Sequence, residues 1–235
     1  MAAPTGTVQQ GWEAVLARVY ARDVADTVAD FTRFKIGEGA YVSGPPEPIP
    51  PDASFSDLQS EGSPLAGGGT ANFNNASTGV TGIGTTFLAD VTAGQWIKPG
   101  PTVSASPFSA GVPGSEIDEW GQVQTVLSDT SIVLMSPYTG PTTLGREVRK
   151  ANEPLYTFRK DLLAGDVLFA SSVPAITEIL AVVLATEALS DQLGNAPRFF
   201  ELGIFDSNGV MAVYMTFPME EQTGVQFNHL IELVF

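Results

Sequence analysis

Two runs of alternating apolar residues, 199–205 and 210–217, flank the tetrapeptide Asp206-Ser207-Asn208-Gly209. An Asn-Gly pair between such runs admits few folds, because both residues tolerate the positive φ of a tight primed turn. The stretch is expected to be a β-hairpin. Phe200, Leu202 and Ile204 would share one face of its first strand, and Met211, Val213, Met215 and Phe217 one face of its second. Gly203 interrupts the first strand, which points to a bulge or a close backbone approach. Asp-x-Asn-Gly also opens a calcium-loop pattern, but the spaced carboxylates and distal Glu that would close the cage are missing.

At 235 residues the chain can bury a sizeable core in one or two domains. Charged residues make up only 16% of it, against about 25% in ordinary domains, so partners are expected to cover part of its surface. The formal net charge of −15 argues against nucleic acid, whose binding rests on Lys and Arg neutralising phosphates. It argues equally against an anionic membrane surface. With no cysteine, disulfides and thiolate metal sites are excluded. The N-terminus lacks the basic start and apolar run of a signal peptide, and the longest apolar stretch, 179–185, is too short to span a bilayer. The expectation is a soluble chain made without secretion.

Before the hairpin, Trp12, Val15, Leu16, Val19 and Tyr20 form the stripe of an amphipathic helix over 9–21. Thr32, Phe34 and Ile36 then alternate with Arg33 and Lys35, as in a half-buried strand stopped by the turn Gly37-Glu38-Gly39. Residues 41–70 form a long irregular excursion holding Pro45, Pro46, Pro48, Pro50 and Pro51, closed by the flexible joint Gly67-Gly68-Gly69. A loop of this length is uncommon inside a compact domain; it reads either as an arm lying on adjacent subunits or as a plain surface loop.

From 72 to about 140 the texture changes to short strands between turn signals, at 77–87, 95–98, 120–126 and 130–135. That suggests a small β-sandwich or barrel, with a Ser/Pro/Gly-rich loop over 100–114 at its rim. Residues 145–153, with Arg146, Arg149 and Lys150, read as a solvated linker in preference to a basic cluster meeting acidic neighbours. Residues 155–162 and 167–169 resume the β texture, and 179–185, apolar on both faces, reads as a central strand covered on both sides. In the last strand, 225–235, Val225, Phe227, His229, Ile231, Leu233 and Phe235 share a face, and the chain is expected to end inside its own sheet.

Candidate chemistry is thin. His229 is the only histidine, and without cysteine or a second histidine a zinc site cannot be completed. A Ser-His-Asp triad would have to use it, yet no Gly-x-Ser-x-Gly elbow precedes it. Asp118 and Glu119 beside Trp120 are the most glycosidase-like grouping, since an aromatic ring can stack a sugar; a loop-to-strand junction explains them equally. No catalytic residue, cofactor or metal is expected.

Glu201-Leu202-Gly203-Ile204-Phe205-Asp206, followed by Asn208-Gly209 and an apolar strand ending near Pro218, resembles the hallmark of the phage tail-collar fibre family. That domain stands at the N-terminal end of many contractile-tail side fibres. The helix followed by Phe34-Lys35-Ile36-Gly37-Glu38-Gly39 resembles an earlier part of the same family, and the two blocks span a little over half of the chain. The stretches TGVTGIGTTFLADVTAGQWIK and VQTVLSDTSIVLMSPY resemble small β-modules of phage tail proteins.

The resemblance implies a mainly β, antiparallel sheet domain with an N-terminal helix, built from residues 1–71 and 141–235, holding an inserted β-sandwich or barrel over 72–140. It implies a structural protein of the phage tail, made in the host cytoplasm and carried in the virion. Its place would be the baseplate or collar, attaching side fibres, with other tail proteins as partners and a trimer or ring as its assembly. The absence of a shaft after Phe235 favours an adaptor over a receptor-binding fibre. The family supplies no catalytic residues. The alternative is a host-surface module that binds a glycan through Trp96 or Trp120.

Overall fold

The computed structural model describes residues 5–8, 31–42, 47–52, 57–100, 119–162, 166–172, 175–183, 196, 198–206, 210–221 and 227–234. The helix expected over 9–21, Pro45 and Pro46, the rim loop beyond Gly100 with Asp118, and the hairpin tip Ser207-Asn208-Gly209 lie outside them.

In chain order the strands begin β1 (Thr5–Val8), β2 (Phe31–Gly37), β3 (Tyr41–Val42), β4 (Glu47–Pro48), β5 (Ser63–Pro64), β6 (Thr70–Phe73), β7 (Gly79–Ile83) and β8 (Trp96–Pro99). They continue β9 (Gly121–Ser128), β10 (Ser131–Leu134), β11 (Thr143–Ala151), β12 (Thr157–Asp161) and β13 (Val167–Ser172). The last are β14 (Ala175–Val183), β15 (Arg198–Asp206), β16 (Met211–Glu221) and β17 (Phe227–Val234). The protein is mostly β, and its sheets are antiparallel.

Five strands form one sheet in the order β1-β16-β15-β2-β12, and β13, β14 and β17 form a second with β14 in the middle. One core joins the two. Phe34, Ile36, Phe158, Leu202, Ile204 and Phe217 from the first meet Ile179, Ala181, Val183 and Ile231 from the second. Alternate positions of each strand supply this layer because successive side chains point to opposite faces. On the far face of β14, Leu180 and its cross-strand partner Leu230 are 36% and 59% exposed. The apolar strand is therefore covered on one side only among the described residues, where the sequence suggested both.

β15 and β16 make the expected hairpin, with two departures. Asp206 N donates to Val210 O at 3.0 Å, and Val210 N donates to Asp206 Oδ1 at 2.8 Å. Three residues separate this closing pair, one more than a two-residue primed turn has. Bulges between Phe199 and Glu201 and between Ile204 and Phe205 then move side chains to new faces. Phe199 joins Leu202 and Ile204 in the first core, Met211 and Phe205 turn into another with Tyr214 and Leu58, and Phe200 packs 4.9 Å from the Tyr41 ring. Gly203 marks a close approach and not a bulge: a Cβ there would stand 2.6 Å from Leu58 Cδ1.

The inserted module is a six-stranded barrel, β11-β6-β7-β10-β9-β8, closed by pairing of β8 with β11 and extended by β5 on β11. Closure removes the open strand edges a small sheet would otherwise expose. Phe73, Val80, Ile97, Val123, Ile132, Leu134 and Val148 fill it, together with Phe87 from a one-turn helix, Phe87–Asp90. The β9–β10 turn caps that helix, because Phe87 N donates to Asp129 O and Leu88 N to Asp129 Oδ1, each at 3.2 Å.

Residues 145–153 are not the solvated linker expected. Most of them belong to β11, the closing strand, where Val148 is fully buried, Arg146 donates to Gly100 O and Lys150 donates to Asp90 O. Nor is 41–70 irregular throughout. β3 and β4 pair as a short ribbon, Ile49 N donates to Ala40 O at 2.8 Å, and residues 57–61 are packed against the protein's own sheet.

Candidate functional site

The alternation of β2 sets up the most unusual feature of the molecule. Phe34 and Ile36 enter the apolar core, which turns Lys35 to the other face of the sheet. That face is also buried, so the half-buried strand expected from the sequence is covered on both sides. β12 places Thr157 and Arg159 there, β15 adds Glu201, and β16 adds Tyr214. In register, Arg159 stands directly opposite Lys35, and like charges so placed repel.

Glu61, on the 3-10 turn Gln59–Glu61, resolves the repulsion. Its Oε1 lies 3.0 Å from Lys35 Nζ and 2.5 Å from Arg159 Nη2, and its Oε2 lies 2.8 Å from Lys98 Nζ of the barrel. Asp57 Oδ1 takes a second hydrogen bond from Lys35 Nζ at 2.8 Å. The Glu61 side chain is 1% exposed. Burial alone would raise its pKa, but Arg159, Lys35 and Lys98 together hold it well below the usual carboxylate range. For Lys35 burial disfavours the ammonium, and Asp57 and Glu61 outweigh it, leaving the pKa raised.

A second buried carboxylate anchors the same turn. Glu201 Oε2 accepts from Gln59 N at 2.8 Å and from Tyr214 OH at 2.7 Å, while Oε1 accepts from Ser60 N at 2.7 Å. Thr157 Oγ1 donates to Ser60 Oγ at 2.8 Å. Burial raises the Glu201 pKa against the pull of these donors, and burial followed by the Glu201 charge raises that of Tyr214. Space for the turn comes from two glycines: a Cβ on Gly39 would meet Ser60 N at 2.3 Å, and one on Gly37 would meet Ser60 Oγ at 2.0 Å.

The barrel side of the junction is Lys98 and Trp120. Lys98 Nζ sits 4.8 Å over the Trp120 ring, a cation–π contact strengthened by desolvation. Trp120 Nε1 donates to Leu155 O at 2.9 Å, and the side chain is 3% exposed. The ring cannot offer a face to a ligand while barrel and sheet stay together. Trp96, at the start of β8, is half-buried and pairs across to Ala151 and Gln122.

The other sequence-derived positions do not converge on this junction. Pro48 lies in β4 opposite Tyr41, Pro50 is exposed and Pro51 is half-buried. Glu119 accepts from Thr139 Oγ1 at 2.8 Å at the barrel rim. His229 lies 4.6 Å from the Phe217 ring between the two sheets, and burial lowers its pKa to about 4. Among the described residues no group of three metal-ligating side chains comes together. Sequence reading missed Glu61 and Glu201, since an acid in a Pro/Gly/Ser-rich stretch carries no local sign of burial. The one available signal was Lys35, which with Arg33 puts cations on the second face of the strand whose other face carries Phe34 and Ile36.

The junction's chemistry is that of a fastening. Asp57 and Glu61 face Lys35, Arg159 and Lys98 with all five side chains 1–11% exposed, and together they join the turn 57–61, the five-stranded sheet and the barrel. No family model, curated protein or solved structure matches the chain.

Proposed function

We propose that the protein is a structural subunit of a phage tail, a baseplate or collar adaptor that attaches side fibres and works in a trimer or ring. The observation that carries this reading is the two-part build: a closed barrel fastened to a double-sheet body by a buried ionic junction. A barrel held that firmly suits the transmission of load from one neighbour to the next. The hairpin Glu201–Asp206 and the β-module, whose sequences resemble phage tail proteins, lie on the two sides of that junction. Ile83, Leu88 and Leu127, each between 58% and 62% exposed, surround the Asp129–Thr130 turn at one end of the barrel. Grouped apolar side chains in water mark contact surfaces.

Co-expression with a phage side-fibre protein tests the reading. A stable complex is expected, and Leu88→Glu with Leu127→Glu should abolish it without lowering the melting temperature. A strict monomer that ignores the fibre would overturn the assignment. The glycan-binding alternative is less favoured by the geometry, because Trp120 is turned inward beneath Lys98.

A further inference from the structure

We propose that Lys35 and Asp57 condense into an intramolecular isopeptide bond, with Glu61 as the proton carrier, so that the junction is covalently locked. This inference is independent of the assignment to a phage tail.

Three features of the site carry it. The reacting groups are in contact, with Lys35 Nζ 2.8 Å from Asp57 Oδ1, and their side chains are 7% and 11% exposed. A third group touches the amine: Glu61 Oε1 lies 3.0 Å from the same Nζ. The carboxylate is held still, since Leu58 N donates to Asp57 Oδ1 at 2.9 Å, and the Phe205 ring closes over Nζ at 4.8 Å. Groups fixed in this way reach effective concentrations of about 10⁵ M or more, enough to make a reaction that is negligible between free amine and acid proceed once per molecule.

Electrostatics favours the product. The buried ion pair keeps two charges out of water, whereas the amide is neutral and keeps one donor and one acceptor. Condensation also leaves Glu61 satisfied, because Arg159 Nη2 and Lys98 Nζ remain on its two oxygens. The remaining cations stay paired with the carboxylate that holds them now.

The step balances without an oxidant or a co-reactant. One proton passes from the Lys35 ammonium to Asp57 Oδ1, giving a neutral amine beside a neutral acid. The Nζ lone pair attacks Cγ, Glu61 Oε1 takes a second proton from nitrogen, and then delivers it to Oδ1. The Cγ–Oδ1 bond breaks and water leaves with both protons. The third hydrogen stays on the amide nitrogen, a Nζ–Cγ bond has formed, and Glu61 is again a carboxylate.

The purified full-length chain is measured by intact mass spectrometry, where the proposal expects a mass lighter than the sequence by one water. Trypsin should then fail to cut after Lys35, yielding peptide 34–146 one water light, since no other Lys or Arg lies between Lys35 and Lys98, Pro99 blocks cleavage after Lys98, and Arg146 is the next site. Cleavage after Glu38 separates the two residues in sequence and should yield a branched peptide that joins them. Asp57→Ala should restore the full mass and cleavage after Lys35, and Glu61→Gln should slow or abolish the loss of water. An unmodified wild-type mass overturns the proposal whether or not the variants fold. So does a loss of water that survives Asp57→Ala.

Discussion

Lys35 and Arg159 stand opposite each other on β2 and β12, and a single carboxylate oxygen, Glu61 Oε1, lies within 3.0 Å of both. Two like charges on neighbouring strands are tolerable only with such an acid between them. Replacing Glu61 by Ala leaves Lys35, Arg159 and Lys98 crowded in a site closed to water. Breaking a buried ion pair by removing one partner costs about 3–5 kcal/mol. The urea midpoint of Glu61→Ala should fall accordingly at an unchanged slope. The control is Glu147→Ala, whose bridge to Arg149 has a 39% exposed carboxylate and whose loss should shift stability by about 0.5 kcal/mol or less.

The contrast between two glycines tests how tightly the turn 57–61 is seated. Alanine at Gly39 would put a Cβ 2.3 Å from Ser60 N and 2.4 Å from Glu201 Oε1, and backbone cannot swing aside as a side chain can. Gly39→Ala should cost about 1–3 kcal/mol or more by thermal denaturation. Gly79→Ala, whose nearest neighbour would be Ser77 Oγ at 3.6 Å, should leave the melting temperature within the scatter of neutral surface changes, about 0.5 kcal/mol.

Much of the β framework was legible before the structure, because period-2 alternation reports directly on which side chains share a face. The hairpin of β15 and β16, the strands β7 to β10, and β12, β13 and β17 all announce themselves this way. What alternation cannot report is what covers a face. Lys35 and Arg33 looked like the wet side of β2, yet the turn 57–61 lies over Lys35, brought there by carboxylates distant in sequence. β11 was read as a linker because Arg146, Arg149 and Lys150 are ordinarily solvated; here the barrel's closure gives Arg146 and Lys150 backbone carbonyls of the same chain. Bulges moved Phe199 and Met211 because one inserted residue reverses the faces of everything beyond it.

Acid should destabilise the protein through His229. Burial lowers its folded pKa to about 4 from an unfolded value of 6.5. Between those values the unfolded chain binds a proton that the folded chain does not, so stability is full above about pH 6.5 and is lost as pH falls towards 4. The loss from this group is about 3 kcal/mol at most. Glu220, with Oε2 3.8 Å from His229 Nε2, has its pKa raised by burial, as has Glu201, and both work in the opposite sense. Melting temperatures measured from pH 7 to 4 should therefore fall less steeply in His229→Asn than in the wild type, and identical slopes would remove His229 from the account.

Tyr214→Phe separates the charge of Glu201 from its burial. The substitution deletes the 2.7 Å hydrogen bond to Oε2 and nothing else of comparable size, which costs about 1–3 kcal/mol when the acceptor is a buried charge. That donor opposes the burial that raises the Glu201 pKa, so its removal raises the pKa further. A raised carboxylate is stabilising while protonated and loses that contribution as pH climbs through the folded value. The variant should consequently melt much lower than the wild type at pH 8 and approach it at pH 5. Equal differences at the two pH values would show that the protonation state of Glu201 does not change between them, and would remove its titration from the account.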